Sequence, residues 1–357
     1  MKHIVLIIDS LVGGGAEQTN VRLAKMFIEH EYKVTIIVMR NVFEILYDPK
    51  IKIICLNYKK SSYPTYFTNL YFSKKLDISL KSLGSIDLII GSLGLTHKLM
   101  NIIDSKHNFY YALHGTTTKA KLDSKKALSY YLKKKELINI YNNKNIICVS
   151  NGVKEDILTL PIIPKSIQVI YNPFDFDEIR TKANDAIDFA FPKEYIIHVG
   201  RFAKVKRHDI LIKAFAQIKN KNIKLVLVGE GSEQENIIQL VKKLHLQNRV
   251  IFAGFFENPF PIIQKAKLLV LSSESEGFGN VLIEAQILQV PIVSTQTIGA
   301  NEIMKCKLSD FLSPINNYID LSEKINIALK NTSSIDLSDY KKDVILKQYN
   351  KITTKIT

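Results

Sequence analysis

LLVLSSESEGFGNVLIE, residues 268–284, joins an apolar run to a turn with two glycines and then to a second apolar stretch. Leu268, Leu269, Val270 and Leu271, stopped by two serines, suit a strand buried on both faces, as in a parallel sheet. The residues beyond Gly279 predict a helix over 281–288. A strand, a glycine turn and a helix in that order put backbone N–H groups and the positive end of a helix at the carboxyl edge of the sheet, where an anion can sit. Glu276 and Glu284 flank this cradle. Two carboxylates would repel a phosphate unless they face hydroxyl groups, so both are expected to accept hydrogen bonds from sugar or ribose OH.

The same rhythm extends outward in both directions. Strands are predicted at 194–200, 223–229, 250–254 and 291–295, with helices over 207–218 and 234–244. The first half repeats it, with strands at 2–9, 33–39, 51–56, 86–91, 108–114 and 145–150 and a helix over 16–29. Alternation of this kind implies parallel sheets covered on both faces. A chain of 357 residues suits two such domains. Residues 171–192 carry Asn-Pro and Phe-Pro steps and no periodicity. The expected division is a first domain over 1–172, a hinge over 173–192, a second domain over 193–335 and a helical tail over 336–357, the tail's host domain being open.

Composition narrows the partners. No apolar run approaches the ~20 residues needed to cross a bilayer. The short apolar run after Lys2 lacks the features of a secretory signal, so the chain is expected in the cytoplasm. Cys55, Cys148 and Cys306 are odd in number and far apart, and are expected to be small buried side chains. Residues 1–172 carry 24 Lys and Arg against 13 Asp and Glu, whereas residues 173–357 carry 25 against 21, so the net charge of +15 lies mainly on the first half. Two stretches there, 58–76 and 119–137, mix lysine with Tyr, Phe and Leu. They suit either an anionic membrane surface or a solvated helix face over a buried stripe.

Further motifs stand in order along the chain. Gly13, Gly14, Gly15, Ala16 and Glu17 form GGGAE; His114 and Gly115 follow a strand; Gly200 and Arg201 precede Lys206. Gly229-Glu230-Gly231, Pro291-Ile292-Val293 and the segment 299–302 flank the opening element. Together these resemble the retaining glycosyltransferase family 4, whose signature is E-G-F-G-x-x-x-x-E, and the resemblance covers almost the whole chain. It implies the GT-B fold, an α/β architecture of two Rossmann-like parallel-sheet domains facing across a cleft.

It implies roles as well. Arg201 and Lys206 would neutralise the donor diphosphate, as a planar fork and a point charge, in place of a metal. Arg207 follows Lys206 where the family often has a small residue, so a second cation stands at that place. Gly13, Gly14 and Gly15 would let backbone approach the diphosphate or the acceptor. Glu276 would bind hydroxyls of the donor sugar and Glu284 the ribose, with Gly277, Phe278, Gly279, Asn280 and Val281 holding sugar and phosphates. His114 would lie beside the reacting sugar. His114, Glu276, Arg201 and Lys206 are thus the candidate catalytic residues, with no cofactor and no metal. Residues 258–280 resemble members that take a sugar from UDP, so the donor is expected to be a UDP-sugar. The acceptor would be a saccharide or a lipid-linked saccharide in bacterial surface glycan assembly at the inner face of the membrane.

Other readings compete. Asp175-Phe176-Asp177 looks like a D-x-D metal motif but sits in the expected hinge, so metal binding is not expected there. In a dinucleotide-binding G-x-G-x-x-G beginning at Gly13, the last position would be Gln18, and no acid ends the second strand. A nucleotide-sugar epimerase shares the fold and would need no separate acceptor. A basic membrane- or nucleic-acid-binding module would use the charge alone, but no nucleic-acid reading motif accompanies it, so nucleic acid is not expected as a partner.

Overall fold

The computed structural model describes residues 1–45, 47–59, 64–118, 122, 127–187, 190, 192–331 and 334–353. The chain forms two compact units, one from Met1–Phe174 with Asp339–Thr357 and the other from Asp175–Ser338.

The first unit is built on seven parallel strands: β1 (His3–Ile8), β2 (Lys33–Val38), β3 (Lys52–Cys55), β4 (Leu88–Ser92), β5 (Phe109–Leu113), β6 (Asn145–Cys148) and β7 (Ser166–Val169). They lie in the order β3-β2-β1-β4-β5-β6-β7. The inner strands β1, β4 and β5 are apolar at nearly every position and fully buried, because helices cover both faces. β7 was not foreseen from periodicity; SIQV is half-buried at the sheet edge and offers only four residues. The helix Gly15–Glu29 buries Leu23, Ala24, Met26 and Phe27 against this sheet.

The second unit has six parallel strands in the order β10-β9-β8-β11-β12-β13. They are β8 (Tyr195–Val199), β9 (Lys224–Val228), β10 (Val250–Gly254), β11 (Leu268–Leu271), β12 (Ile292–Thr295) and β13 (Leu312–Ser313). In each sheet the strand order reverses once, between β1 and β4 and between β8 and β11. Ligands of open α/β sheets bind outside the carboxyl ends of the strands at such reversals. The loops leaving these four strands begin at Asp9, Leu93, Gly200 and Ser272, and they carry most of the motifs quoted above.

The connection differs from the expected hinge. Asp175 caps a helix, Phe176–Lys182, by accepting from the Glu178 N–H at 3.0 Å, and this helix is part of the second unit. A cap followed by two acids in the first turn is enough to start a short helix where periodicity is too brief to register. The first D of the D-x-D triplet therefore holds a helix end. Residues 188, 189 and 191 of the expected hinge lie outside the described residues.

The tail finds its host in the first unit. The helix Lys342–Thr353 buries Ile345, Leu346, Tyr349 and Ile352 in the same apolar cluster as Leu23 and Phe27. Of the cysteines, Cys148 is buried, and burial pushes its thiol up to about 12. Cys55 is half-buried. Cys306 is exposed, contrary to expectation, because it opens a 3₁₀ turn at φ 55° instead of entering a strand.

The two basic-aromatic stretches run into helices. In Thr65–Ser82 a stripe of Thr68, Phe72, Leu76 and Leu80 is buried while Tyr66, Phe67, Tyr71 and Ile78 are exposed. In Ala127–Tyr141 only Leu137, Ile140 and Tyr141 are buried, and Leu128, Tyr130, Tyr131 and Leu132 are exposed. A buried stripe thus accounts for part of each helix and leaves aromatic and leucine side chains in solvent. Residues 60–63, 119–121 and 123–126 of these stretches lie outside the described residues. Among the described residues, no helix is long and apolar enough to cross a membrane.

Candidate active site

In the second unit the chain leaves β11 and folds back on the loop that leaves β8. Ser272 Oγ donates to the Lys206 carbonyl at 2.9 Å, and the Glu274 N–H donates to the Val205 carbonyl at 2.8 Å. These bonds bring Lys206 to the glycine turn. Its Nζ donates to Glu276 Oε1 at 2.6 Å, and Ser273 Oγ donates to the same oxygen at 2.6 Å. Charge-assisted bonds of this length are the strong ones, so the carboxylate has a fixed position.

Gly279 stands before the helix Asn280–Ile287 with φ 95°, a left-handed conformation that glycine adopts without strain. A side chain at Gly299 would overlap the Phe278 carbonyl, and the Gly299 N–H donates to the Glu276 carbonyl at 3.1 Å. The segment after β12 therefore supports the turn from beneath. Phe278 is buried under it, whereas Gly277, Asn280 and Val281 keep surface open. Glu284 lies about one turn along the helix and is buried.

Of the cations, Lys206 alone joins this cluster. Arg201 is exposed, and its guanidinium has no partner among the described residues. Arg207, with φ 48°, is held by Asp209 at 2.9 and 3.0 Å and by Asn316, and approaches Glu274 at 3.9 Å. It is committed to its neighbours, which separates it from Lys206. Under the same loop His198 is buried; its Nδ1–H donates to the Val270 carbonyl at 2.8 Å, and burial lowers its pKa to about 4.

In the first unit Gly14 caps the helix Gly15–Glu29, and a side chain there would overlap the Glu17 carboxylate. Gly13 donates through its N–H to Glu44 Oε2 at 3.2 Å. The glycines thus accommodate a carboxylate of the helix's own first turn. His114 directly follows β5, and its Nε2 lies 3.0 Å from Ser92 Oγ. The loop beyond it is anchored by buried Asp156, which accepts from the N–H groups of Thr117 and Thr118 at 2.6 and 2.9 Å. Burial lowers the His114 pKa to about 4, so the ring is neutral.

The expected residues therefore gather in two groups. Lys206, Glu276, Gly277, Phe278, Gly279, Asn280, Val281 and Glu284 share one sheet edge with Arg201; Gly13, Gly14, Gly15 and His114 lie at the carboxyl edge of the other sheet. Sequence reasoning missed Ser92, Asp156 and Asn20, whose Nδ2 donates to Ser92 Oγ at 3.0 Å, because each acts through a partner far along the chain and stands in no recognisable motif. It also missed Ser273, which lies inside the quoted stretch but gave no sign of its bond to Glu276. Among the described residues no group of three or more His, Cys, Asp or Glu is placed to hold a metal ion.

The chain resembles known proteins along most of its length. The glycosyltransferase family 4 description matches residues 13–178, and that of the glycosyl transferases group 1 matches residues 180–350. The chain is 36% identical over 156 residues, 43% of its length, to the N-acetylgalactosamine-N,N'-diacetylbacillosaminyl-diphospho-undecaprenol 4-alpha-N-acetylgalactosaminyltransferase of Campylobacter jejuni, and this match spans 42% of that relative. It is 26% identical to the N-acetyl-alpha-D-glucosaminyl L-malate synthase of Bacillus anthracis over 89% of this chain and 85% of that one. The fold superposes on Anabaena Alr3699/HepE, solved with UDP and glucose, with a TM-score of 0.79 at 19% identity, covering 99% of this chain and 100% of the other. Two matched halves, two parallel sheets and an E-G-F-G-x-x-x-x-E element at a sheet reversal lead to one conclusion: this chain belongs to the family 4 glycosyltransferases and has the GT-B fold.

Proposed function

We propose that this protein moves a hexose or N-acetylhexosamine from a UDP-sugar, with retention of anomeric configuration and without a metal, to a saccharide or lipid-linked acceptor of a bacterial surface glycan. The observation that carries the reading is the meeting of Lys206 and Glu276 on one oxygen at the carboxyl edge of the second sheet. A diphospho-sugar offers each what the other now supplies, phosphate for the ammonium and hydroxyls for the carboxylate. Arg201, unpaired and exposed, adds a planar fork for the diphosphate. Charge that develops on the departing phosphate is met by these two cations, the most effective place for electrostatic stabilisation.

Glu276 positions the sugar in this scheme and does not attack it. The acceptor hydroxyl approaches the face from which the nucleotide departs, the anomeric C–O bond to phosphate breaks as the new one forms, and the phosphate takes the hydroxyl proton. Glu284 takes the ribose hydroxyls, and the turn from Gly277 to Val281 holds sugar and phosphates. UDP is favoured because the similar fold of HepE was solved with UDP and glucose. The Campylobacter jejuni relative is named for a diphospho-undecaprenol-linked acceptor, which supports a lipid-linked substrate here. The exposed Tyr66, Phe67, Tyr71, Leu128, Tyr131 and Leu132, interspersed with lysines, suit peripheral attachment to the anionic cytoplasmic leaflet where such an acceptor resides.

The test is thermal stabilisation by UDP-, GDP- and CMP-sugars without added metal, since a ligand that binds only the folded state raises apparent stability. A shift with a UDP-sugar, followed by sugar transfer in the presence of EDTA, is the expected result. Transfer that stops in EDTA and returns with manganese would overturn the metal-independent scheme; donor turnover without acceptor would point to an epimerase.

A further inference from the structure

We propose that Asn20 and Ser92 are positioning residues that fix the tautomer of His114, so that its ring carries the proton on Nδ1 and serves as a hydrogen-bond donor to a substrate oxygen. The inference rests on the glycosyltransferase reading for the identity of that oxygen, and on the hydrogen-bond geometry around a neutral ring for the tautomer.

Asn20 is fully buried on the helix Gly15–Glu29. Its Nδ2 donates to the Ala16 carbonyl at 2.9 Å and to Ser92 Oγ at 3.0 Å, which uses both amide protons. The reversed amide would set Oδ1 against the Ala16 carbonyl, two acceptors with no proton between them, so the orientation follows from the contacts. Ser92 Oγ thus already accepts a proton and has one of its own to give. Two acceptors are in range, Asn20 Oδ1 at 3.4 Å and His114 Nε2 at 3.0 Å. The shorter and better bond goes to the imidazole, because Oδ1 belongs to the amide that is already donating to this hydroxyl. With Nε2 accepting, a neutral ring carries its proton on Nδ1.

The frame around Ser92 is rigid. Ser92 ends β4 in register with Ile8 of β1, and Leu93 beside it has φ 76°, a conformation rare for a leucine. Asp9 holds that strained turn by accepting from the Leu95 N–H at 3.3 Å, the Thr96 N–H at 2.8 Å and the Thr96 hydroxyl at 2.8 Å. Strain that is over-determined by its surroundings is characteristic of functional sites. On the other side Asp156 pins the loop that follows His114.

The lone pair on Nε2 is engaged by Ser92 and Nδ1 already holds hydrogen, so His114 has no free site for the proton of the acceptor hydroxyl. That proton passes to the departing phosphate as the bond to the anomeric carbon is exchanged, and the imidazole keeps its own throughout. His114 is a donor to a sugar or phosphate oxygen and not a general base.

Protein labelled with ¹⁵N-histidine, read by two-bond ¹⁵N–¹H correlation at pH 7 and assigned with His114→Gln, tests this without any substrate. The expected pattern for His114 is the neutral Nδ1–H tautomer; the Nε2–H tautomer or an imidazolium overturns the proposal. In a donor–acceptor assay Ser92→Ala is expected to lose about tenfold in kcat with donor KM little changed, as for one lost hydrogen bond to a reacting group. Ser92→Thr, which keeps the hydroxyl, is expected to retain both the pattern and the rate. Ser92→Ala at the parent rate, with a folded spectrum, would also overturn the role. A correct tautomer in a protein that transfers no sugar from any nucleotide donor would leave this arrangement standing and sink the transferase reading instead.

Discussion

Lys206 Nζ lies 2.6 Å from Glu276 Oε1, with the two side chains 24% and 14% exposed. Each neutralises the other, so a donor competes with this contact for the ammonium and the carboxylate. Glu276→Ala is expected to cut kcat by on the order of 100-fold or more while leaving far-UV circular dichroism unchanged. It frees Lys206 for phosphate, so UDP alone should bind at least as tightly as to the parent, as read by calorimetry. Weaker UDP binding together with normal transfer would mean that the pair has a different role.

Arg201 has no such competitor, and its removal should be felt mainly in the transition state. Arg201→Ala is expected to raise the barrier by about 3 kcal/mol, near 100-fold in kcat/KM, as for other single charge-stabilising donors. Arg207→Ala breaks the Asp209 contacts and should lower the melting temperature with a smaller effect on transfer. The reverse ranking in steady-state kinetics would exchange the two assignments.

Three glycines separate backbone need from ligand need. Gly279→Ala meets a positive φ and should cost about 1–2 kcal/mol of stability. Gly299→Ala drives a methyl group into the Phe278 carbonyl and should cost at least as much. A side chain at Gly115 has open space around it, so Gly115→Ala should be neutral in urea unfolding. If that variant nonetheless loses transfer, the requirement for glycine comes from the substrate.

Acid should weaken the fold in a definite window. Burial holds His114 and His198 near 4, and it holds His208 near 2 with help from His198 and Lys206, against 6.5 for a free imidazole. Folded-state values below the unfolded one mean that the unfolded chain binds more protons, so stability is complete above pH 6.5 and declines as pH falls toward 4. The slope is at most about 1.4 kcal/mol per pH unit for each ring. Asp77 acts in the same sense lower down: burial alone would raise its carboxyl, but hydrogen bonds from His107, Lys81 and Lys106 hold it well below the usual range, so its contribution is lost only as pH falls below the ordinary carboxylate range. Its contribution persists through this window. Urea midpoints that stay constant from pH 7 to pH 5 would contradict the buried neutral rings.

Attachment to a membrane predicts binding to vesicles containing anionic lipid that weakens with salt. Lys133→Glu, Lys134→Glu and Lys135→Glu together should reduce co-sedimentation severalfold, and Tyr131→Ser with Leu132→Ser should reduce it further. Equal binding to neutral vesicles would remove the electrostatic part of the idea.

The parallel sheets were legible because buried strands are written as unbroken apolar runs such as LLVL and IVLII, and the helix after Gly279 begins within one residue of its expected start. The glycine turn after β11 was legible for the same reason, since glycine spacing is a local property. The contacts that organise the site were not. Ser92 and Asn20 are 72 residues apart, Lys206 and Glu276 are 70 apart, and a hydroxyl or an amide looks the same in sequence whether it meets solvent or an imidazole. The glycines of GGGAE were legible as a place of close backbone approach, but the Glu17 carboxylate packed beside Gly14 was not. Helix Phe176–Lys182 and strand β13 were too short for periodicity to register.

The helix Lys342–Thr353 completes the apolar cluster of a unit whose remaining chain ends at Phe174, and Phe174 is bonded to that returning segment through the Tyr340 carbonyl at 3.0 Å and the Lys342 N–H at 3.1 Å. The second unit is therefore an insertion within the first. During synthesis the first sheet emerges early but waits for its closing helix until 164 further residues, 175–338, have left the ribosome. A stop codon anywhere after position 174 that removes the tail leaves Phe27 and Leu23 without their cover, so a nearly full-length product would be a target for quality-control proteases.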